Sequence, residues 1–299
     1  MKVLGIGDNV CDVYVHQKRM YPGGQALNFA VNAKMLGAES EFLGVFGTDL
    51  IAACVKQALQ TYGIPFPRSR TYSGDNGYAR VTLDHGERVF LDSNKGGVIQ
   101  THPLRFDRED LDYIADFFLV HTTNNGFLDN ELPKLRQTGV LISYDFSYRW
   151  TEKERLDRVC PYLDFAFLSC AELTESELEI LCHSMYARGV RFVCATRGSN
   201  GAVAFDGIRF YRQPADYVCP VDTMGAGDAF ATAFLVEAGN KLLDSGKSAW
   251  LDHCWREEVL TNALQHAAAF SAKACLRPGS FDCARQIPAE LSERLLQTT

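Results

Sequence analysis

The sequence has no Cys-x-x-Cys pair, although it carries ten cysteines, at 11, 54, 160, 170, 182, 194, 219, 254, 275 and 283. That spacing marks zinc ribbons and dithiol redox centres, so its absence argues against both. Several cysteines sit inside apolar runs, as Cys194 does in Arg191-Phe192-Val193-Cys194-Ala195. They read as small buried hydrophobes in a reducing compartment. No apolar run approaches the roughly 18 residues of a membrane span. No signal-peptide design precedes the first strand-like run, Val3-Leu4-Gly5-Ile6, and a cytoplasmic protein is expected. There is no block of five or more basic residues, and the net charge is −7, which argues against a nucleic-acid partner. Neither an internal repeat nor a low-complexity linker is present, so solenoids and tethered domains drop out.

What is present is an ordinary globular composition. The chain has 299 residues, 46% hydrophobic and 22% charged, enough for one large core or two modest ones. Its most informative stretch is Asp222-Thr223-Met224-Gly225-Ala226-Gly227-Asp228. Two glycines around an alanine let the backbone turn tightly and approach a ligand. A helix-periodic run follows (Phe230, Ala233, Phe234, Val236), so the glycines sit at a helix start, where unpaired N–H groups favour an anion. Asp228 falls in the first turn. Beside an anion hole, its carboxylate suits proton abstraction from a hydroxyl that attacks a phosphate. The plainer reading is a glycine loop with a capping aspartate.

In chain order, Val3–Ile6 reads as a buried strand with Asp8 and Asp12 after its end, where ligands gather in open α/β sheets. The two carboxylates could bind sugar hydroxyls or simply form turns. Tyr21-Pro22-Gly23-Gly24 reads as a turn, and Gln25 to Leu36 as a helix closed by Gly37. Asn28 lies on its apolar face and needs a partner, either a ligand hydroxyl or a backbone carbonyl. Ser40–Phe46 is the next strand, followed by a helix to Tyr62. Residues 70–93 carry turn signals at Asn76-Gly77 and His85-Gly86 and read as a β-hairpin. With residues 10–20 it would make a small lid, able to pair with a second copy of itself; an extra antiparallel edge of the main sheet is the other reading.

From 107 to 205 the pattern is regular: strands over Asp116–His121, Val140–Asp145, Asp164–Ser169 and Val190–Thr196, with helices at about 127–137, 151–159 and 173–187. Such alternation implies a parallel sheet covered on both faces. Asp145 and Glu172 fall at or past strand ends. Thr196-Arg197-Gly198-Ser199-Asn200-Gly201 is a loop able to touch phosphates, or a plain turn before the hairpin around Asp206-Gly207. Residues 239–258 read as polar and irregular, before a helix from Val259 to Cys275. Its Ala267-Ala268-Ala269 leaves room for an adenine or for a neighbouring helix.

Taken together, Asp8 and Asp12, Gly23-Gly24-x-x-x-Asn28, Gly37, Gly44, Gly47-x-Asp49, Thr196-x-Gly198-x-x-Gly201 and Asp222 to Asp228 resemble the ribokinase/PfkB carbohydrate kinases over nearly the whole length. The resemblance implies one α/β domain over 1–299: a three-layer sandwich with a mostly parallel central sheet, and a β-sheet lid from about 10–20 and 70–95. It implies ATP and Mg²⁺ as cofactors and a sugar as the small-molecule substrate. Asp228 would be the base, and Gly225, Ala226 and Gly227 the anion hole. Asp12, Gly23, Gly24 and Asn28 would hold the sugar. Thr196, Gly198 and Gly201 would follow the ATP phosphates, and Ala268 would lie along the adenine. Asp222 and Thr223 stand where many members place a monovalent cation such as K⁺. One departure is Ser169-Cys170-Ala171-Glu172, which keeps Glu172 of the family's Asn-x-x-Glu but not the Asn.

Within the family, Ile6 to Asp12, Pro22 to Asn28, Arg88-Val89-Phe90-Leu91-Asp92 and Tyr144-Asp145-Phe146-Ser147-x-x-Trp150 resemble the fructosamine kinases. These imply the 6-hydroxyl of an amino acid–fructose conjugate such as fructoselysine as acceptor. Carboxylates such as Asp8, Asp92 or Asp145 would then meet the substrate amine. A kinase for another sugar or a nucleoside, and a non-catalytic regulator on the same fold, are the alternatives. A dinucleotide-dependent dehydrogenase is disfavoured, because Gly5-Ile6-Gly7-Asp8 lacks the third glycine that opens the helix.

Overall fold

The computed structural model describes residues 1–296. The single-domain expectation over 1–299 therefore includes three residues outside the described ones. Nine strands form the central sheet, in the spatial order Phe210–Gln213, Ala202–Phe205, Phe192–Thr196, Phe165–Ser169, Leu141–Asp145, Leu119–Thr123, Lys2–Gly7, Glu39–Phe46 and Arg70–Thr71. Pairing is parallel from Phe192–Thr196 through to Arg70–Thr71, and antiparallel in the closing hairpin 202–213. Alternate residues face opposite sides, as strand geometry requires. Leu4, Ile6, Val120, Ile142 and Leu168 join one core layer; Val3, Leu119, Leu141, Phe165 and Phe167 join the other. The three-layer sandwich follows.

The expected strands lie within one to three residues of their observed bounds. Helix starts are chemically marked. The Asp49 carboxylate accepts from Ala52 N at 3.0 Å at the start of Leu50–Thr61. Thr174 and Glu177 form a capping box for Glu175–Ala187. Asp252 caps His253–Ala274.

A second sheet of five strands has the order Arg285–Gln286, Arg19–Gly23, Val10–Tyr14, Gly77–Asp84, Glu87–Ser93. It contains the expected lid pieces, with four corrections. Residues 21–23 are strand rather than turn; Pro22 is tolerated because the Arg285–Gln286 partner reaches only Arg19 and Met20, leaving its outer edge free. Asn76-Gly77 is not a hairpin turn: the Asn76 side chain accepts from Gly47 N and donates to the Asn9 carbonyl, tying the lid base to the main body. Arg70–Thr71 belongs to the central sheet, not the lid. The lid's outermost strand, Arg285–Gln286, comes from the far end of the chain and carries no local signal.

The stretch 239–258 is also regular. Helix Ala226–Ser245 runs through Gly239, where Met1 packs, and a short 3₁₀ turn, Lys247–Leu251, leads into His253–Ala274. The two helices make an antiparallel pair, and the polar residues that suggested irregularity lie mainly on their outward faces.

Candidate active site

The parallel strands Lys2–Gly7, Leu119–Thr123, Leu141–Asp145, Phe165–Ser169 and Phe192–Thr196 end on one edge of the sheet. Helix Ala226–Ser245 begins beside it. Its N-cap, Gly225, has φ 72, and a Cβ there would lie 2.7 Å from Ser280 Oγ. Only glycine permits both that backbone and that approach. Asp228 follows in the first turn, as the sequence predicts.

Asn28 enters from helix Gln25–Met35. Its Nδ2 donates to Asp228 Oδ2 at 2.6 Å and to Ser280 Oγ at 3.0 Å, while its Oδ1 is buried with no partner among the described residues. The sequence offered a ligand hydroxyl or a backbone carbonyl as its partner; the observed partners are the Asp228 carboxylate and the Ser280 hydroxyl. The free Oδ1 is an acceptor suited to a ligand hydroxyl.

Four carboxylates gather here. Burial pushes Asp228 up to about 8, helped by the neighbouring charge of Asp145; Asn28 and Arg88 oppose that shift. Burial likewise lifts Asp12 to about 7 and Asp145 to about 6. Asp8 is raised for the same reason. Clustered, desolvated carboxylates with raised proton affinity are common at functional sites.

Asp8 proves to be largely committed to the scaffold. Its Oδ2 accepts from Gln25 N at 2.8 Å, and its Oδ1 from Ala26 N at 3.3 Å and Thr123 Oγ1 at 2.8 Å. It thus caps the helix that carries Asn28. Asp12 lies beside Gly23, where a Cβ would come 2.5 Å from Asp12 Oδ2 and 3.8 Å from Asn28 Oδ1, so both groups flank that glycine. Asp145 accepts from Ser147 N at 2.6 Å. Asp92 stands apart, half-exposed on the lid and paired with Arg80 at 2.9 Å.

Asp222 is fully buried and also committed: Tyr14 Oη donates to Oδ2 at 2.6 Å, Gly279 N to Oδ2 at 2.7 Å, and Met224 N to Oδ1 at 2.9 Å. Thr223 is bound to the lid, its Oγ1 donating to Glu87 Oε2 at 3.2 Å. Among the described residues no group of three or more His, Cys, Asp or Glu is arranged to hold a metal.

On the other side, Ser169 and Thr196 are in register across adjacent strands. Thr196 Oγ1 donates to the Leu168 carbonyl at 3.2 Å, and Gly198–Asn200 forms a 3₁₀ turn after it, with Gly201 against the Gln213 backbone. Glu172 is exposed on the loop after the Ser169 strand. Ala268 is buried in the layer beneath helix Ala226–Ser245. Sequence reasoning missed Ser280 and Tyr14, and it gave Arg88 no role beyond its place in the string Arg88 to Asp92. Each meets its partner across a long stretch of sequence, so no local pattern marks the contact.

No helix among the described residues is long and apolar enough to cross a membrane. The model of the pfkB family carbohydrate kinases matches residues 2–287. The fructosamine kinase FrlD of Bacillus subtilis is 40% identical over 282 residues, spanning 94% of this chain and 93% of that protein. The fructoselysine 6-kinase of Escherichia coli K12 is 34% identical over 236 residues, 79% of this chain and 88% of that one. Among solved structures, the Arabidopsis thaliana ribokinase complexed with ribose and ATP superimposes with a TM-score of 0.74 at 18% identity, covering 100% of this chain and 99% of that one. At that identity the likeness establishes the fold.

Proposed function

We propose that this chain, which belongs to the pfkB family of carbohydrate kinases, transfers the γ-phosphoryl group of ATP to the 6-hydroxyl of fructoselysine or a closely related fructosamine. The single observation that carries the catalytic reading is the Asn28–Asp228 hydrogen bond at 2.6 Å, which holds an acceptor-side amide against a carboxylate at a helix N-terminus. The two relatives named for fructosamine and fructoselysine support the acceptor class. So does the chemistry of the site: Asp12, Asp145 and Asp228 are buried carboxylates with raised proton affinity, and an amine-bearing sugar supplies the cation that would stabilise their charged forms.

In this mechanism Asp12, Gly23, Gly24 and the free Oδ1 of Asn28 hold the sugar. Asp228 accepts the proton of the 6-hydroxyl as its oxygen bonds to the γ-phosphorus and the bond to the β-bridging oxygen breaks, releasing ADP. The helix start at Gly225, Ala226 and Gly227 receives the phosphoryl charge, with Ala226 N itself donating to the Thr223 carbonyl at 3.2 Å and closing the turn that aims the loop. Thr196, Gly198 and Gly201 serve the nucleotide phosphates, with Ala268 on the adenine side.

Mg²⁺ fits as a companion of the nucleotide. The exposed Glu172 carboxylate suits a cation that keeps most of its waters, and bound there Mg²⁺ would neutralise phosphate charge. At Asp222 and Thr223, where K⁺ is expected, the polar atoms already serve the scaffold. Three protein donors occupy the Asp222 oxygens and Glu87 takes the Thr223 hydroxyl, so no step runs through a monovalent cation.

The reading treats the chain as one catalytic domain with a lid. Ten free cysteines are consistent with a cytoplasmic location. Pairing of two copies through the lid is favoured by strand Glu87–Ser93, which forms an unpaired sheet edge and exposes Val89, Phe90 and Leu91 in succession.

The test is ATP consumption with Mg²⁺ against fructoselysine, other fructosamines, fructose, fructose 6-phosphate, ribose and adenosine. Selective turnover of fructoselysine or another fructosamine is expected. Preference for an acceptor without the amine would keep the kinase and sink the fructosamine assignment. Nucleotide binding without any turnover would favour a regulator.

A further inference from the structure

The lid meets the catalytic loop at one residue. Thr223 N donates to the Gly86 carbonyl at 3.1 Å. Thr223 Oγ1 donates to Glu87 Oε2 at 3.2 Å and accepts from Arg88 N at 3.4 Å. One residue of the loop therefore engages three consecutive residues of the hairpin. The turn is shaped for this approach. His85 and Gly86 have φ 48 and φ 83, the left-handed pair that a two-residue hairpin turn uses. A Cβ on Gly86 would lie 2.5 Å from the Pro220 carbonyl oxygen. A second tie runs from the lid strand Val10–Tyr14, where Tyr14 Oη donates to Asp222.

This latch carries Arg88 across the loop. Its Nη1 lies 3.5 Å from Met224 Sδ, next to the glycine that opens the catalytic helix. From there its charge favours the ionised forms of both Asp12 and Asp228. The groups facing Asp228 are Asp145 and Asp8, which disfavour its ionisation, and Asn28, which favours it by donating a hydrogen bond. Those facing Asp12 are Asp222 and Asp8, both of which disfavour its ionisation. Thus carboxylates from the central sheet and the loop oppose a charged base, and a guanidinium delivered by the lid supports one.

We propose that Arg88 is a positioning residue for phosphoryl transfer, brought over the acceptor site by the latch between the 85–88 turn and Thr223 and withdrawn when the lid opens. The inference rests on the kinase reading of this site and adds to it a link between closure and base strength. With the tip on Thr223, the guanidinium lowers the proton affinity of Asp228 and eases its ionisation. With the tip away, that affinity rises further and the carboxyl keeps its own proton, which protects ATP from attack by water in an open site.

The experiment uses the full chain and the variants Arg88→Gln, Arg88→Lys and Thr223→Val, with two readouts. The first is the pH dependence of kcat/KM with a turned-over acceptor. The second is the ¹³C titration of the Asp228 carboxyl in the free protein, assigned with Asp228→Asn; it needs no substrate. Loss of the guanidinium removes a charge that lowers the proton affinity of Asp228. In Arg88→Gln both the ascending limb and the titration should therefore move upward by about half a pH unit or more. Arg88→Lys should reverse much of that shift, because charge is restored. Thr223→Val should move both upward while leaving the arginine in place. Arg88 is exposed, so the variants should fold, and an unchanged thermal midpoint verifies it. Coincident titrations in wild type and Arg88→Gln would overturn the proposal. If the wild type turned over no acceptor, the kinase reading would fail while the carboxyl titration still decided the role of Arg88.

Discussion

Asn28 Nδ2 and Asp228 Oδ2 stand 2.6 Å apart, joining the first turns of two helices separated by 200 residues of sequence. The bond does two things. It stabilises the ionised carboxylate, and it leaves Asn28 Oδ1 as a buried free acceptor facing the same space. In the proposed mechanism, a proton acceptor and an acceptor-binding group are thereby fixed to each other before any ligand arrives.

Asp228→Asn should keep the shape of the site and lose the base. Turnover should fall by roughly 10²–10⁴-fold, with KM for the acceptor changed far less. Steady-state kinetics with the preferred acceptor measure both. Near-normal kcat would remove Asp228 from the proton transfer.

The raised proton affinities fix the sign of two pH effects. Asp228, with its value near 8 in the free protein, must be ionised to act, so kcat/KM should climb as pH rises toward and through about 8. Stability of the ligand-free protein should run the other way. Asp145, Asp12 and Asp228 are protonated in the folded state to about 6, 7 and 8, well above their unfolded range, so the folded chain holds more protons over that interval. Stabilisation from these groups is complete below the unfolded range and is lost as pH rises through the folded values. Thermal midpoints measured from pH 5 to 9 should fall, and the fall should flatten in Asp228→Asn.

Gly86→Ala should open the lid. The left-handed backbone there disfavours a side chain, and the new methyl would meet the Pro220 carbonyl. Strain of about 1 kcal/mol or more weakens the closed state roughly fivefold or more, while the sandwich is untouched. Acceptor KM should rise and kcat/KM fall with little change in the thermal midpoint. Unaltered kinetics would show that the Gly86–Thr223 contact is not needed for closure.

Selection of the amine should depend on Asp145 rather than Asp92. Asp92 is already paired with Arg80 and is half-exposed, whereas Asp145 is buried among the carboxylates of the site. The ratio of kcat/KM for fructoselysine over fructose should hold in Asp92→Asn and drop about tenfold or more in Asp145→Asn, the scale of a charge-assisted hydrogen bond. The opposite ranking would move amine recognition onto the lid.

Phe90→Lys should separate paired copies. Phe90 is 56% exposed on the free edge of the small sheet, and a charge there is the device by which edge strands avoid pairing. Sedimentation should show a dimer for the wild type and a monomer for the variant. A monomeric wild type would end the pairing proposal.

Much of this molecule is legible in sequence because much of it is local. The turn chemistry at His85-Gly86, the helix opened by Gly225 to Asp228, and the alternation of strands and helices between 107 and 205 each depend on neighbours a few residues away. Periodicity and turn propensity report such neighbours directly. The misreadings occur where a local signal has a distant partner. Pro22 and Gly23 look like a turn but extend beside Val10 and Cys11, and Asn76 looks like a turn residue but braces Gly47 and Asn9.

Fold class is legible in the local pattern, and so is the glycine loop that opens helix Ala226–Ser245 with Asp228 in its first turn. Tertiary structure decided which polar groups are spent on the scaffold and which are left for chemistry. Asp8 caps a helix, Asp222 is filled by Tyr14, Gly279 and Met224, and Asp92 holds Arg80, while Asp12, Asp145 and Asp228 are left desolvated together. A carboxylate looks the same in every sequence. Its role depends on the donors, charges and water around it, and those are set by segments that meet only when the sheet, the lid and the C-terminal strand close on one another.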